Sequence, residues 1–327
     1  MSETPSKEPA PPTGETFTTI DGVEIVDDFA EAFDMKATRL IITGIDPYWA
    51  GQAARAMTGF ATSVIACGVE ADIERELSPN ETPDGRPGVA VLMFAMSGGE
   101  MEKQIQRRVG QCVLTCPTAS IFSGIDAANG KRLSLGRGLR FFGDGHQVAK
   151  RLHGCDSDKP TRYWRVPVMD GEFVIEHDAW RVDGIGGGNF LLLGQTIESV
   201  LAGCRAAVDA IASVKDVITP FPGGVARSGS KVGSKYAGMF ASTNDAFCPV
   251  LRDQVDTQLR DDENAVLEIV LDGMTFEAIA EATRVGIEAA CRASGGSGLR
   301  RITAGNYGGK LGRHHFRLRD LLLSSSD

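Results

Sequence analysis

The sequence predicts an α+β protein of two βαββαβ sandwiches with a β-rich insertion between them. Strand-type and helix-type segments alternate in the same order in both halves of the chain, while residues 125–185 hold only short alternating stretches.

In the first half, TRLIITGI (38–45) is strand-like. PYWAGQAARAMTG (47–59) spaces Trp49, Ala53 and Met57 four apart, a helical stripe. ATSVIACG (61–68) reads again as a strand. After the turn-rich LSPNETPDGRPG (77–88), VAVLMFAM (89–96) is the continuous apolar run of a central strand. GEMEKQIQRRVGQCVL puts Met101, Ile105, Val109, Cys112 and Val113 on one helical face, and TASIFSG (118–124) closes the series. The insertion follows with LRFF, YWRVPVM and EFVIE.

The second half opens with the strand NFLLLG (189–194). Thr196 can cap the next helix, with Ile197, Val200, Leu201, Cys204, Val208 and Ile211 in register. VITPF (217–221) and AVLEIVL (265–271) are strands. The helix TFEAIAEATRVGIEAACRA turns Phe276, Ile279, Ile287, Ala290 and Cys291 inward, and LRRITAG (299–305) is the last strand. Each half is thus a split β-α-β unit, the ferredoxin-like sandwich with its helices on one face. The repeat is one of element order, not of residues. The expected divisions are a disordered tail (1–17), an N-terminal lobe (18–124), the insertion (125–185) and a C-terminal lobe (186–327). This fold hosts enzymes, metal binders and ligand sensors alike.

Composition narrows the classes. Of 327 residues, 42% are hydrophobic and 24% charged, the balance of a soluble globular protein. The apolar runs fall far short of the ~20 residues a membrane span requires. MSETPSKEPAPPTGET has no apolar signal region and too little hydrophobicity to bury a core. A net charge of −9 without a basic cluster argues against a nucleic-acid surface. The seven scattered cysteines read as reduced thiols of a cytoplasmic protein. Cys112 and Cys116 lack the companions of a four-ligand metal set and read as core residues. His314 and His315 are adjacent and point to opposite sides of any strand, while His146, His153 and His177 stand alone. No metal site is expected.

Three loops stand out: SPNETPDGRPG, TPFPGGVARSGSK and ITAGNYGGKLGRHH. Each joins Gly and Pro, which shape backbone, to polar or cationic groups. Single loops of this kind are usually turns; three together suggest a shaped ligand site. In VITPFPGGVARSGSK, Gly224 and Gly229 have phosphate-loop spacing. Ser230 nevertheless precedes Lys231 and moves the ammonium out of register, so a nucleotide loop is not expected. In AVLEIVL, alternation sets Leu267, Ile269 and Leu271 on one face and Val266, Glu268 and Val270 on the other. With the leucine face under the helices, Glu268 lies desolvated on the helix-free face. Its pKa should then rise toward that of a base acting near neutrality. A salt-bridged glutamate at a subunit contact fits the pattern equally well.

At these residues the chain resembles the formylmethanofuran–tetrahydromethanopterin formyltransferase family. The resemblance rests on DGVEIVDDFAEAF (21–33), TGFATSVIAC (58–67), SPNETPDGRPG, RRVGQCVLTCPTASIF (107–122), GIGGGNF (184–190), ITPFPGGVARSGSK and ITAGNYGGKLG, covering residues 20 to 318. It implies two ferredoxin-like lobes per subunit, homotetramers, and formyl transfer between N5 of tetrahydromethanopterin and the primary amine of a methanofuran-type coenzyme in one-carbon metabolism. Both coenzymes are co-substrates, with no permanently bound cofactor. The N-terminal tail and LLLSSSD depart from the shorter archaeal members and suggest a bacterial-type chain that works within a larger formyltransferase/hydrolase complex.

The resemblance tips Glu268 toward proton acceptor. It makes the three loops walls of a coenzyme cleft, with Pro83, Asp84, Arg86, Phe221, Pro222, Gly223, Gly224, Arg227, Ser228, Ser230, Lys231, Asn306, Tyr307 and Lys310 as substrate-binding candidates. Of these, Arg86, Arg227, Lys231 and Lys310 suit anionic coenzyme tails. Two rivals from other classes remain: a non-catalytic coenzyme-binding scaffold in a larger complex, and a regulatory ligand sensor. A buried carboxylate among valines favours the enzyme over a pure binder.

Overall fold

The computed structural model describes residues 15–152, 160–227, 231–294 and 296–323. It opens with a hairpin of β1 (Thr16–Ile20) and β2 (Val23–Val26). Its turn residues Asp21 and Gly22 have φ of 49° and 84°, the left-handed pair that tight hairpins require. The first strand starts inside the segment expected as tail, whose residues 1–14 lie outside the described ones.

The first lobe runs β3 (Phe29–Thr43), α1 (Pro47–Thr58), β4 (Thr62–Ser63), α2 (Val64–Cys67), β5 (Val69–Leu77), β6 (Gly88–Ala95), α3 (Gly98–Arg108) and β7 (Ser120–Ser123). Asp46 caps α1 by accepting the Trp49 N–H at 3.0 Å. The four main strands lie in the order β5-β6-β3-β7, that of the expected βαββαβ unit. β6 is buried along its whole length. Val91, Met93 and Ala95 pack with Met57, Met101 and Ile105 of the helices, while Leu92 and Phe94 meet Ile218 of the second lobe.

Residues 61–68 are not the expected strand. The Ser63 hydroxyl accepts the Ile65 N–H, and Gly68, at φ 72°, ends the short α2 that follows. The real strand is the charge-rich VEADIEREL of β5, whose alternate residues Val69 and Ala71 reach the core. Its other face carries Glu70, Asp72 and Glu74, which hid the strand from a search for apolar runs.

The insertion holds β8 (Lys131–Ser134), α4 (Gly136–Leu139), β9 (Val148–Leu152), β10 (Thr161–Val168) and β11 (Gly171–Glu176). β9, β10 and β11 extend the first sheet beyond β7. β12 (Asp178–Gly194) then runs unbroken through the expected boundary at 185. Its first part pairs with β8 and β3, its second with the C-terminal lobe. Where β12 crosses β3, a Cβ on Gly186 would lie 2.0 Å from Met35 Sδ and one on Gly184 2.7 Å from Ala37 Cβ. GIGGGNF is therefore a close-packing seam between lobes.

The second lobe continues with α5 (Ile197–Ile211), capped by Thr196 as expected, β13 (Val217–Ile218), the small hairpin β14 (Lys231–Val232) and β15 (Ala241–Ser242), β16 (Ala265–Gly273), α6 (Phe276–Ser294) and β17 (Leu299–Thr303). The strand order is β13-β16-β12-β17, with β2 and β1 added beyond β17. The strand expected over 217–221 stops at Ile218, because Pro220 has no N–H to give a ladder. The chain closes with β18 (His314–Arg317), antiparallel to the start of β3, and α7 (Leu318–Leu323).

The helix-free faces are covered largely from within the chain. Leu191, Leu193 and Val266 lie under Leu259 and Phe247 of the 243–259 segment. Between the lobes, Arg39 binds Glu74 through two hydrogen bonds of 2.6 and 2.7 Å and also pairs with Asp216. Asp272 is fully buried there beside Glu70 and accepts the Gly187 N–H at 3.0 Å.

Candidate active site

Alternation along β16 works as the sequence predicts. Leu267, Ile269 and Leu271 join the core under α5 and α6, and Glu268 takes the other face. The Glu268 side chain is buried, opposite Leu191 in register, and desolvation pushes its pKa up to about 8. Beside it lies a cavity of about 40 Å³ lined by Ala226, Arg227, Asn244, Phe247 and Cys248, room for water but not for a coenzyme.

One wall of this centre is the 219–227 segment. After Ile218 the chain leaves the sheet through Thr219-Pro220-Phe221 and a turn at Pro222–Gly224, then returns to β16. There the Ala226 N–H donates to the Glu268 carbonyl at 2.8 Å and the Glu268 N–H to the Ala226 carbonyl at 2.9 Å. Gly223 and Gly224 have φ of 63° and 75°. A Cβ on Gly224 would lie 2.6 Å from Val208 Cγ2 of α5. That glycine lets the loop approach the helix closely. Arg227 is exposed at the cavity, and Lys231 forms an ion pair with Asp245 at 2.7 Å. Ser228 and Ser230 lie outside the described residues.

The 305–312 loop is coupled to this centre through Tyr307. Glu31, on β3 and fully buried, receives four of its backbone N–H groups: Tyr307 and Gly309 on Oε2 at 2.8 Å each, Leu311 and Gly312 on Oε1. Burial alone would raise the Glu31 pKa, but these donors outweigh it and hold the carboxyl below its usual value. Asn306 Nδ2 donates to Asp28 Oδ1 at 2.8 Å, and Asn189 exchanges hydrogen bonds with the Gly305 backbone. Desolvation raises the Tyr307 hydroxyl to about 12, with the Glu268 and Glu31 carboxylates adding to the shift. Tyr307 therefore stands in the field of both glutamates and keeps its proton across the physiological range. Lys310 is exposed.

The third loop does not join them within the chain. Pro83, Asp84 and Arg86 sit beyond Thr43, at the end of β3 remote from Glu31, roughly 40 Å away by strand rise. The Arg86 guanidinium is engaged there by Asp84 at 2.8 Å, by the Thr118 carbonyl at 2.7 Å and by Thr43 Oγ1 at 2.9 Å. These bonds tie the 82–86 turn to the end of β3 and to Thr118. Gly/Pro loops resemble one another whether they wrap a ligand or close a strand, and strand direction decides which ends meet.

Reading residues in isolation missed Asp28, Glu31 and Asn189. The only signal was the alternation in DFAEAF, where Ala30 and Ala32 enter the core and leave Glu31 on the opposite face. Cys112 and Cys116 pack against the first lobe's core, as expected, and burial pushes both thiols up. Among the described residues no cluster of His, Cys, Asp and Glu could hold a metal.

The family described as formylmethanofuran-tetrahydromethanopterin formyltransferase matches residues 18–168, and its companion, described as FTR, proximal lobe, matches residues 171–321. A formylmethanofuran–tetrahydromethanopterin formyltransferase of Rhodopirellula baltica is 59% identical, with 93% of each chain covered. One of Archaeoglobus fulgidus is 50% identical, covering 92% of this chain and 99% of its own. Among solved structures, a chain of the formyltransferase/hydrolase complex from Methylorubrum extorquens, in complex with methylofuran, superposes with a TM-score of 0.90 at 50% identity, over 93% of this chain and 98% of that one. The formyltransferase from Methanosarcina barkeri superposes at 0.85 and 43% identity, over 93% of this chain and all (100%) of that one.

Proposed function

The chain belongs to the formylmethanofuran–tetrahydromethanopterin formyltransferase family, and on that premise we propose that Glu268 is the proton acceptor of its reaction. The protein is a formyltransferase with formylmethanofuran and tetrahydromethanopterin as substrates. When the acceptor amine attacks the formyl carbon, a C–N bond forms and the carbonyl electrons move to oxygen. Glu268 takes the proton from the new ammonium and returns it to the departing nitrogen as the old C–N bond breaks. With its pKa at about 8 the Glu268 carboxylate is a much stronger base than one near 4.5, so it takes the ammonium proton more readily and then delivers that proton to the departing nitrogen. Tyr307, protonated and electrostatically close to Glu268, is suited to donate to the oxyanion. Arg227 and Lys310 lie exposed on the two loops nearest this centre and suit the charged parts of the coenzymes.

The observation that carries this reading is a buried carboxyl made strongly basic by desolvation, bonded through its backbone to one loop and in the electrostatic field of Tyr307 on another. It favours catalysis over a purely binding scaffold. Incubating the purified protein with formyl-tetrahydromethanopterin and a methanofuran-type amine tests it. One formyl species should disappear as the other forms, at a rate proportional to protein. Binding of both without exchange would assign the scaffold role.

Copies of the chain also associate in our reading, as a homotetramer or within a formyltransferase/hydrolase complex like that of the Methylorubrum relative. Exposed Tyr236 (73%), Phe240 (72%) and Val250 (85%) gather in one segment and supply an apolar contact surface. No helix among the described residues is long and apolar enough to cross a membrane, and the free cysteines among them suit work in the cytoplasm.

A further inference from the structure

A second concave feature lies in the insertion, built from elements that contribute nothing to the Glu268 centre. Arg137 and Arg140, from α4 and the turn after it, Arg162 and Trp164 from β10, and His177 between β11 and β12 line a groove of about 340 Å³. The guanidinium carbons of Arg140 and Arg162 stand 4.9 and 4.6 Å from the Trp164 ring centroid, so the indole holds both cations by its π face. A Cβ on Gly136 would lie 3.1 Å from Trp164 Cδ1, so the glycine lets the Arg137–Arg140 turn settle onto that ring.

The groove is rich in donors. Trp164 Nε1 only donates, and it bonds His177 Nδ1 at 2.8 Å. Nδ1 is thus the acceptor, and the His177 proton sits on Nε2 as one more donor. Arg162 Nε is buried with no hydrogen-bond partner. Among the described residues, the groove's arginines make a single ion pair, a 3.6 Å contact of Arg137 with Asp178. Two guanidiniums held on one indole and a third lining the same groove, with one carboxylate paired to them among the described residues, repel one another, and in a chain of net charge −9 such a cluster needs a reason. A multiply charged oxyanion supplies it, since forked guanidinium N–H groups match phosphate and carboxylate oxygens in pairs.

We propose that Arg137, Arg140, Arg162 and His177 form a binding site for a small ligand carrying at least two oxyanion charges, phosphate or clustered carboxylates. Trp164 holds Arg140 and Arg162 in place for it. The reading is independent of the formyl-transfer centre and stands or falls separately.

The test is isothermal titration of the full chain with pyrophosphate and, separately, with tricarballylate, in low-salt buffer with chloride as control. Saturable one-to-one binding of either is expected, and the better ligand tells a phosphate-bearing compound from a polycarboxylate. Arg140→Gln and Arg162→Gln should each weaken it at least tenfold. If Arg162→Gln melts early, Arg140→Gln decides alone, because that side chain is partly exposed beside the groove. No saturable binding of either probe, or binding unchanged in a folded Arg140→Gln protein, overturns the assignment.

Discussion

The Glu31 carboxylate receives the Tyr307 N–H at 2.8 Å across 276 positions of sequence. The tyrosine that shares an electrostatic field with Glu268 is therefore held in place by the first long strand of the molecule. Glu31→Gln keeps the size but turns an NH₂ donor toward N–H donors that now meet an oxygen. Each donor left unpaired should cost about 1–3 kcal/mol. Hydrogen exchange should accelerate selectively at amides 307–312, while α5 and α6 stay protected. Uniform loss of protection across the lobe would mean Glu31 supports the whole fold and not this loop.

Glu268→Gln should lower turnover by roughly 10²–10⁴-fold while the protein still folds. A carboxyl whose native pKa lies above its unfolded value weakens the fold as pH rises from about 4.5 through about 8, so the Gln variant should melt no lower than wild type at pH 8. The wild-type rate should climb with pH through about 8 as the carboxylate forms, and the variant's residual rate should lose that limb. Turnover within a few-fold of wild type would remove Glu268 from the chemistry.

Asp272 offers a separate pH test. Burial, then the Glu70 carboxyl beside it, raises its pKa well above the ordinary value. Its penalty is absent below about 3.8 and grows as pH rises through the native pKa. Asp272→Asn removes the charge and can donate to Glu70. Melting curves at pH 4, 6 and 8 should show the variant gaining on wild type as pH rises; a constant difference would place the charge elsewhere.

The two loop glycines should respond differently to alanine. Gly223→Ala meets no atom within 4 Å and carries only the left-handed backbone penalty, about 1–2 kcal/mol. Gly224→Ala adds the 2.6 Å clash with Val208 and should destabilise more. It should also slow formyl transfer, since the turn sets Ala226 against Glu268. Equal melting temperatures would mean the loop yields without strain.

Tyr236→Asp combined with Phe240→Asp should shift the assembly toward smaller species in light scattering, with the isolated chain still folded. An unchanged mass would move the contact surface elsewhere.

Local periodicity carried much of this protein. The strand–helix order, the Thr196 cap and the face taken by Glu268 are written in neighbours two to four residues apart, and such spacing survives any tertiary arrangement. The charged β5 escaped because its buried glutamate is satisfied by Arg39 from another strand, which no local pattern records. The placing of Tyr307 in the field of Glu268, the separation of Arg86 from Glu31, and the gathering of Arg137, Arg162 and His177 depend on which strands pair and in which direction. β3 sends Glu31 to one end of the molecule and Thr43 to the other. Only the long-range register, fixed by burial of both sheets at once, decides which polar side chains meet.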